Sequence, residues 1–410
     1  MRIYPDLADE VTDSGLLQRY AAFPFSAESR TFLYALVIFF ALVIERRMLS
    51  IPLLYWLLGA AVIGTGLHTW FRYDLHLALH STARFSNVMM LAPVVSILFL
   101  NDRHLAWVFR IFMFVFLVAF ASLLYQYGGG DMDTLVQGYV AIRADLIRHM
   151  TVVGEPNVGG MLAVIAFVIA MSIIRHTGWS VMLASLAIAF IFFSLSKAAL
   201  LGLPVAMYAL LLAIESPVRV KMLRKFAMAL VLGSLLLVLI GADEYLLNSF
   251  RSIFGGIARE PSALEDLKNR MEIDRFSMFS GPPLQVLGQF LFGSSFGVAG
   301  SAAQEILGKD AGVVLPHNSY VELFMVGGAT MLGLAIALVV RAFINLAAVA
   351  ADPQSAIDRC ALACLVLLSC WMLVYPVVYE PVLGTLLWTI VGYGNRVRYS
   401  EKSNPAVIKA

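Results

Sequence analysis

The sequence predicts an all-α polytopic membrane protein with about eleven transmembrane helices (roughly 10 to 12) and one large extramembrane loop that contains amphipathic helices. Composition is the first reason. Of the 410 residues, 60% are hydrophobic and only 14% are charged, and the mean hydropathy of +0.83 is too high for a soluble chain of this length. The second reason is that apolar runs close to the roughly 20 residues needed to cross a bilayer recur along the chain. Nothing in this composition suggests nucleic-acid binding.

The apolar runs set the order of the predicted spans. Several are short and share tight connections, so one of them could be re-entrant rather than a full crossing. We place the runs near residues 31–45, 51–69, 87–100, 105–127, 158–174, 179–196, 198–214, 226–242, 319–340, 359–379 and 382–395.

The basic residues predict the orientation, because short cytoplasmic loops are enriched in Lys and Arg. The opposite face then receives the N-terminal segment and the loops 70–86, 128–157 and 242–316. The longest of these loops holds nine acidic and six basic residues and is predicted to face outward. A half-helix near residues 16–25 would reverse the N-terminus alone. The basic loops carry Arg46, Arg47, Arg103, Arg175, Arg219, Lys221, Arg224, Lys225, Arg341, Arg359, Arg396, Arg398 and Lys402.

We interpret residues 1–410 as a single membrane domain with residues 242–316 as one structured insertion, since no internal repeat or low-complexity linker divides the chain. Within the insertion, residues 261–279 have apolar side chains at helical spacing and predict an amphipathic helix at the outer surface. No cleavable signal peptide is evident. The three cysteines fall in one apolar run, where a thiol behaves as a small hydrophobic side chain.

Four residues on the predicted outward side carry the strongest chemical signal. Lys197 lies at a tight turn between two spans, Arg270 and Arg275 lie on the amphipathic segment, and His317 opens the next span. A cation at the bilayer centre costs about 2.5–3.5 kcal/mol, so a ligand or partner is expected nearby. The alternatives are structural: a snorkelling lysine, arginines on a solvated helix face or in ion pairs, and a structural histidine.

Several segments together resemble the bacterial O-antigen ligase and O-antigen polymerase family. The stretch 315–328 (LPHNSYVELFMVGG) is similar to its His-Asn motif at the start of a membrane helix. Residues 274–297 (DRFSMFSGPPLQVLGQFLFGSSFG) resemble its arginine, aromatic and spaced-glycine segment, here Arg275, Phe279, Gly293 and Gly297.

Two shorter pieces complete the resemblance, which covers about residues 154–393. Residues 154–157 (GEPN) resemble the family's Pro-Asn turn at the start of a span, and residues 194–202 (SLSKAALLG) resemble its turn between two spans. The family usually has arginine where this chain has Lys197. Lysine keeps the charge but lacks the bidentate fork for phosphate oxygens.

The resemblance implies a metal-independent, inverting glycosyltransferase of the bacterial inner membrane whose active site faces the periplasm. Its donor would be a glycan carried on undecaprenyl diphosphate, and its partners would include a chain-length regulator or other polysaccharide assembly proteins. His317 would be catalytic, with no metal and no cofactor. Lys197, Arg275 and Arg270 would bind the diphosphate. The residues expected to bind glycan or support the site are Asn318, Tyr320, Glu155, Asn157, Glu322 and Glu380.

The acceptor and two rival functions stay open. A growing glycan as acceptor would make the chain a polymerase, which we favour slightly, and a lipid A core acceptor would make it a ligase. Asp131 and Asp133 have the acid-x-acid spacing that holds a divalent metal in other sugar transferases. A flippase or transporter is the alternative from another class, although no inverted repeat is seen. Glu322 could equally be a buried carboxyl paired with a polar neighbour.

Overall fold

The computed structural model describes most of the chain from residue 52 onward. The described residues are 52–73, 75–98, 102–130, 141–143, 146–148, 151–153, 156–212, 216–254, 282–296, 318–350, 355–378 and 380–396. The predicted span 31–45 and the predicted amphipathic segment 261–279 lie outside these ranges.

The described chain is helical apart from one short hairpin, as predicted from its composition. The hairpin pairs β1 (Ala141–Arg143) with β2 (Leu146–Arg148) in antiparallel register. The helices are α1 (Leu53–Arg72), α2 (Leu75–Met89), α3 (Leu91–Leu98), α4 (Asp102–Tyr127), α5 (Pro156–Ser172), α6 (Thr177–Ser194), α7 (Lys197–Leu212), α8 (Ser216–Leu239), α9 (Asp243–Phe254), α10 (Pro283–Phe292), α11 (Ser319–Ala350), α12 (Ala356–Trp371) and α13 (Pro381–Gly394).

Six segments of the described chain are long and apolar enough to cross a membrane. This supports a multi-pass α-helical membrane protein. Helices α5, α7, α10 and α13 are apolar but shorter. The six segments are Leu53–Arg72, Leu77–Leu98, Asp102–Tyr127, Thr177–Ser194, Val218–Leu239 and Ser319–Ala350.

Helix α5 forms the centre of the bundle. Nearly every side chain from Val158 to Met171 is buried, and the helix packs against α4, α6, α7 and α12. A helix that is apolar on all faces is expected in such a central position. Helix α8 is different, because many of its apolar side chains are exposed, including Val231 and Leu239. We infer that α8 lies at the lipid-facing edge.

Several predicted boundaries are wrong. The helix of the span expected at 319–340 continues to Ala350, and that of the span expected at 359–379 ends at Trp371. The span expected at 87–100 begins near Leu77 and passes through α2 and α3, so much of the predicted loop 70–86 is helical. The span expected at 226–242 begins at Ser216, because Arg219, Lys221 and Arg224 lie on the helix itself. Charged residues lower the local hydropathy, but a helix end in the headgroup region tolerates them.

One end of the bundle, which we call the basic end, collects predicted cytoplasmic residues. Arg396 forms an ion pair with Asp102 at 3.1 Å, and its guanidinium lies 3.6 Å from the centre of the Tyr393 ring. The Tyr393 hydroxyl lies within hydrogen-bond distance of the carboxylates of Asp102 and Asp358 and can donate its one hydrogen to either. These contacts join the start of α4, the start of α12 and the end of α13. Arg175, Lys221, Lys225 and Arg359 lie around one cavity at the corresponding ends of α5, α8 and α12.

Candidate functional site

Lys197 is the first residue of α7, directly after the tight turn that the sequence predicts. The turn depends on Leu195, whose φ of 47° is left-handed, and on two serines. The Ser194 hydroxyl accepts from Ser196 N at 3.2 Å, and the Ser196 hydroxyl accepts from Ala199 N at 3.3 Å. Ser196 therefore caps α7 at its third backbone N–H. This cap holds Lys197 at the end of the helix.

The Lys197 side chain is enclosed by protein, with only 6% of its surface exposed. A snorkelling lysine would extend toward the headgroups and keep its ammonium in water. The observed burial does not fit that alternative. A buried lysine is retained only where charged or polar groups compensate for its lost hydration.

Trp371 connects Lys197 to the start of α11. Its indole Nε1 donates to the carbonyl of Ala198 at 2.9 Å, and the ring packs on Gly202, where a Cβ would lie 2.7 Å from the indole. The next residue, Met372, accepts a hydrogen bond from Ser319 N at 2.8 Å. These two hydrogen bonds hold the start of α7, with Lys197, and the start of α11, with Ser319, at the same end of the bundle.

Asn318 caps α11. Its side-chain oxygen accepts from Tyr320 N at 2.9 Å and from Val321 N at 3.1 Å. The cap uses the amide oxygen, so any bond from Asn318 to a sugar or to His317 would come from its NH2 group. His317 precedes this cap and lies outside the described residues.

The segment between α12 and α13 is hydrogen-bonded to the start of α11 at the same end of the bundle. The Ser319 hydroxyl donates to the carbonyl of Tyr375 at 2.9 Å and accepts from Val378 N at 3.3 Å. Glu380 then caps α13, with Oε2 accepting from Leu383 N. This carboxylate has a structural role at a helix start, where negative charge is favourable.

Two predicted site residues of α11 point in different directions. Tyr320 donates to the carbonyl of Ser369 at 3.0 Å and lines an apolar groove between α11 and α12. Glu322 is buried, with 1% of its surface exposed. It lies in the first turn of α11. This burial is one part of the structural alternative for Glu322, and its pairing with a polar neighbour stays a prediction. Tyr320 supports the junction of α11 with α12.

Asn157 is the second residue of α5, which begins at Pro156 as the Pro-Asn pair predicts. One turn later Gly160 packs against the turn after α6. A Cβ on this glycine would lie 2.5 Å from Ser194 Oγ and 3.0 Å from the Ala199 Cβ. Asn157 therefore lies at the same end as Lys197, half-buried.

These contacts define a second end of the bundle, which we call the site end, carrying Asn157, Lys197, Asn318 and Glu380. Helices α5, α7, α11 and α13 all begin there. A helix N-terminus bears partial positive charge, so the start of α7 and the buried Lys197 together favour an anion. The other predicted residues, Arg270, Arg275, Glu155, Asp131 and Asp133, lie outside the described ranges, so their relation to this end stays a prediction.

Helix α9 also lies at the site end, against the end of α6. Ser249 donates to the carbonyl of Phe192 at 3.2 Å, and the Tyr245 ring packs on Phe193. Burial, assisted by Tyr127 and Glu244, raises the pKa of Tyr245 to about 12. This hydroxyl is therefore neutral at pH 7. The helix is the start of the predicted insertion, and its contacts place that start on the Lys197 side.

Gly293, one of the two spaced glycines, and Gly328, the last residue of the stretch 315–328, make a tight backbone crossing. Gly293 has φ 76° and Gly328 has φ 66°, and a Cβ on Gly328 would lie 2.5 Å from Gly293 N and from the Leu291 carbonyl. Ser294 N donates to the carbonyl of Met325 at 2.9 Å. Helix α10 is thus fastened to a kink in α11. Gly297 lies outside the described residues.

Trp371 and Ser319 were missed as site residues. A tryptophan at the end of an apolar run is ordinary in a membrane protein, and only its bond to Ala198 reveals its position. Ser319 lies within the His-Asn stretch, and only its bonds to Tyr375 and Val378 reveal its position. Among the described residues, no group of three or more His, Cys, Asp or Glu side chains could hold a metal ion.

Comparison with known proteins gives no relative. No family model, no curated protein and no solved structure matches the chain significantly.

Proposed function

We propose that the protein is a periplasmic-face membrane glycosyltransferase that polymerises lipid-linked oligosaccharide repeat units of a surface polysaccharide. In this proposal about eleven spans cross the bacterial inner membrane. The observation that best supports this proposal is that Trp371 and Met372 are hydrogen-bonded to the residues that follow Lys197 and Asn318. It brings a buried cation and Asn318 to one end of the bundle, which supports the arrangement that the resemblance to the O-antigen ligase and polymerase family implies.

The proposed reaction fits the chemistry of this end. A hydroxyl of the acceptor sugar attacks the anomeric carbon of the donor, and the bond from that carbon to the diphosphate oxygen breaks. The negative charge that grows on the leaving lipid diphosphate is stabilised by Lys197 and Arg275, with Arg270 beside them. His317 accepts the proton of the attacking hydroxyl. The partial positive charge at the start of α7 adds to this stabilisation, and no metal ion takes part in the proposed reaction.

The remaining predicted residues have supporting roles in this proposal. Asn157 and Glu155 would contact the donor glycan near the start of α5. Tyr320 and Glu380 act mainly through the helix junctions that they stabilise. The apolar groove beside Tyr320, of about 460 Å³, would accommodate part of the donor's lipid chain.

The direct test uses the full-length protein in proteoliposomes supplied with a purified lipid-linked repeat unit. We expect chain growth without lipid A core, because the polymerase needs only the repeat unit. His317→Ala should abolish it while leaving the thermal unfolding midpoint within the range of the parent. Growth that requires lipid A core would identify a ligase instead. Movement of the lipid-linked glycan across the membrane without elongation would identify a flippase, and unchanged turnover in His317→Ala would remove this histidine from the mechanism.

Chelation separates the proposed mechanism from the metal alternative at Asp131 and Asp133. Treatment with EDTA should leave the rate unchanged, because fixed cations rather than a bound metal stabilise the leaving group. Loss of activity that is restored by Mg²⁺ or Mn²⁺, and is abolished by Asp131→Asn, would favour the metal-dependent class.

A further inference from the structure

A second concave site lies at the basic end, opposite Lys197. Its volume is about 180 Å³. It has room for an anion with ordered water, since a single water needs only about 10–15 Å³. Four cationic residues line it: Arg175 after α5, Lys221 and Lys225 on α8, and Arg359 on α12. None of the described lining residues is acidic.

The arrangement is more specific than a basic membrane flank. The four residues come from segments about 50 to 180 positions apart in the chain, and they meet only because α5, α8 and α12 end together. Arg219 and Arg224 lie on the same helix, yet they do not line the cavity. Of the four basic residues near the start of α8, Lys221 and Lys225 line the cavity and Arg219 and Arg224 do not.

The wall of the cavity holds one cation in place. Lys225 Nζ donates to the Ser180 hydroxyl at 3.5 Å, and that hydroxyl donates onward to the Ala170 carbonyl at 2.8 Å. An ammonium has three N–H donors, and the contact with Ser180 uses one of them. Arg175 and Arg359 add planar guanidinium groups, which suit phosphate oxygens.

We propose that this cavity binds a phosphate group at the basic end of the protein. The group belongs either to the headgroup of an anionic phospholipid, with its acyl chains along the exposed apolar surface of α8, or to a soluble phosphate. Basic pockets between membrane helices on the cytoplasmic side are suited to anionic headgroups. The apolar side chains Val218 and Leu210, which also line the cavity, fit a ligand with an adjoining hydrocarbon chain. This site is separate from the proposed glycosyltransferase site and does not depend on it.

The test compares two double variants of α8 with equal charge loss. Lys221→Gln/Lys225→Gln removes two cavity cations, and Arg219→Gln/Arg224→Gln removes two outside it. The delipidated full-length proteins are titrated with phosphatidylglycerol in mixed micelles, and bound lipid is counted by native mass spectrometry. We expect the cavity variant to bind roughly 30-fold more weakly than the parent and the control variant to bind nearly as well.

Further binding experiments identify the source of the phosphate group and show whether a loss of binding is caused by misfolding. Phosphatidylcholine should not compete, and inorganic phosphate that binds with the same variant dependence would assign the site to a soluble ligand. Arg175→Gln, which changes an exposed residue after α5, should weaken binding, and Arg175→Lys should restore most of it. Equal losses in both double variants, or no specific binding by the parent, would overturn the proposal.

Discussion

At the scale of single residues, Lys197 is the most informative. It is buried at the start of α7. If it binds the donor diphosphate, Lys197→Met should lower product formation about 100-fold or more, as is typical when one preorganised donor is removed from a developing anion. Lys197→Arg should recover much of the rate, because the charge returns. Proteoliposome assays of initial rate measure both.

A matched control separates this role from stability. Arg224→Met also removes one cation, but from an exposed position at the basic end, and should leave the rate unchanged. If Lys197→Met loses activity only in proportion to its loss of folded protein, as judged by thermal unfolding in detergent, the lysine is structural and the diphosphate role is wrong.

The sequence predicts Lys197 as a candidate but not its burial. The motif SLSKAALLG locates the residue at a turn, and the serines that cap α7 follow from local rules. Enclosure requires α5 and α12 to pack beside that turn, which only long-range contacts define. For Glu380, the local sequence gives the structural role better than the predicted binding role. It is predicted as a glycan-binding carboxylate, but an acidic residue before a proline at a helix start is equally suited to cap that helix, and Glu380 caps α13.

At the scale of helices, the crossing of α10 and α11 depends on Gly328. Its φ of 66° is costly for any residue with a Cβ, by about 1–2 kcal/mol, and the Cβ would collide with the backbone of Leu291. Gly328→Ala should therefore destabilise the protein by at least about 2 kcal/mol. A fluorescence-monitored thermal melt in detergent should show a clear drop in Tm.

The same helix provides the control for this substitution. Gly333 has no atom within 4 Å of its Cβ position, so Gly333→Ala should leave stability unchanged or raise it by about 0.5–1 kcal/mol. Equal melting of Gly328→Ala and the parent would show that the kink in α11 is not required. The spaced glycines signal such a crossing in the sequence, but the partner of each glycine cannot be deduced from spacing alone.

Helix boundaries show which elements sequence patterns describe well. Uniformly apolar helices such as α6 agree with prediction to within two residues, because hydropathy alone defines them. Helix α8 extends ten residues before its predicted start, because hydropathy discounts the basic turn at its beginning. The hairpin β1–β2 was not predicted, since three-residue strands leave no period to detect.

At the scale of the whole molecule, the two ends differ in charge and predict an orientation. The basic end should face the cytoplasm, and the site end should face the opposite compartment. Helix α8 runs between them, with exposed Arg224 near its start and exposed Asp243 just beyond its end.

In a variant with the three native cysteines replaced by alanine, Asp243→Cys should react with a membrane-impermeant maleimide in intact spheroplasts. Arg224→Cys should react only after the membrane is permeabilised. The reverse pattern would place Lys197 and the His-Asn motif on the cytoplasmic side, where a glycan assembled for export could not be extended after its translocation.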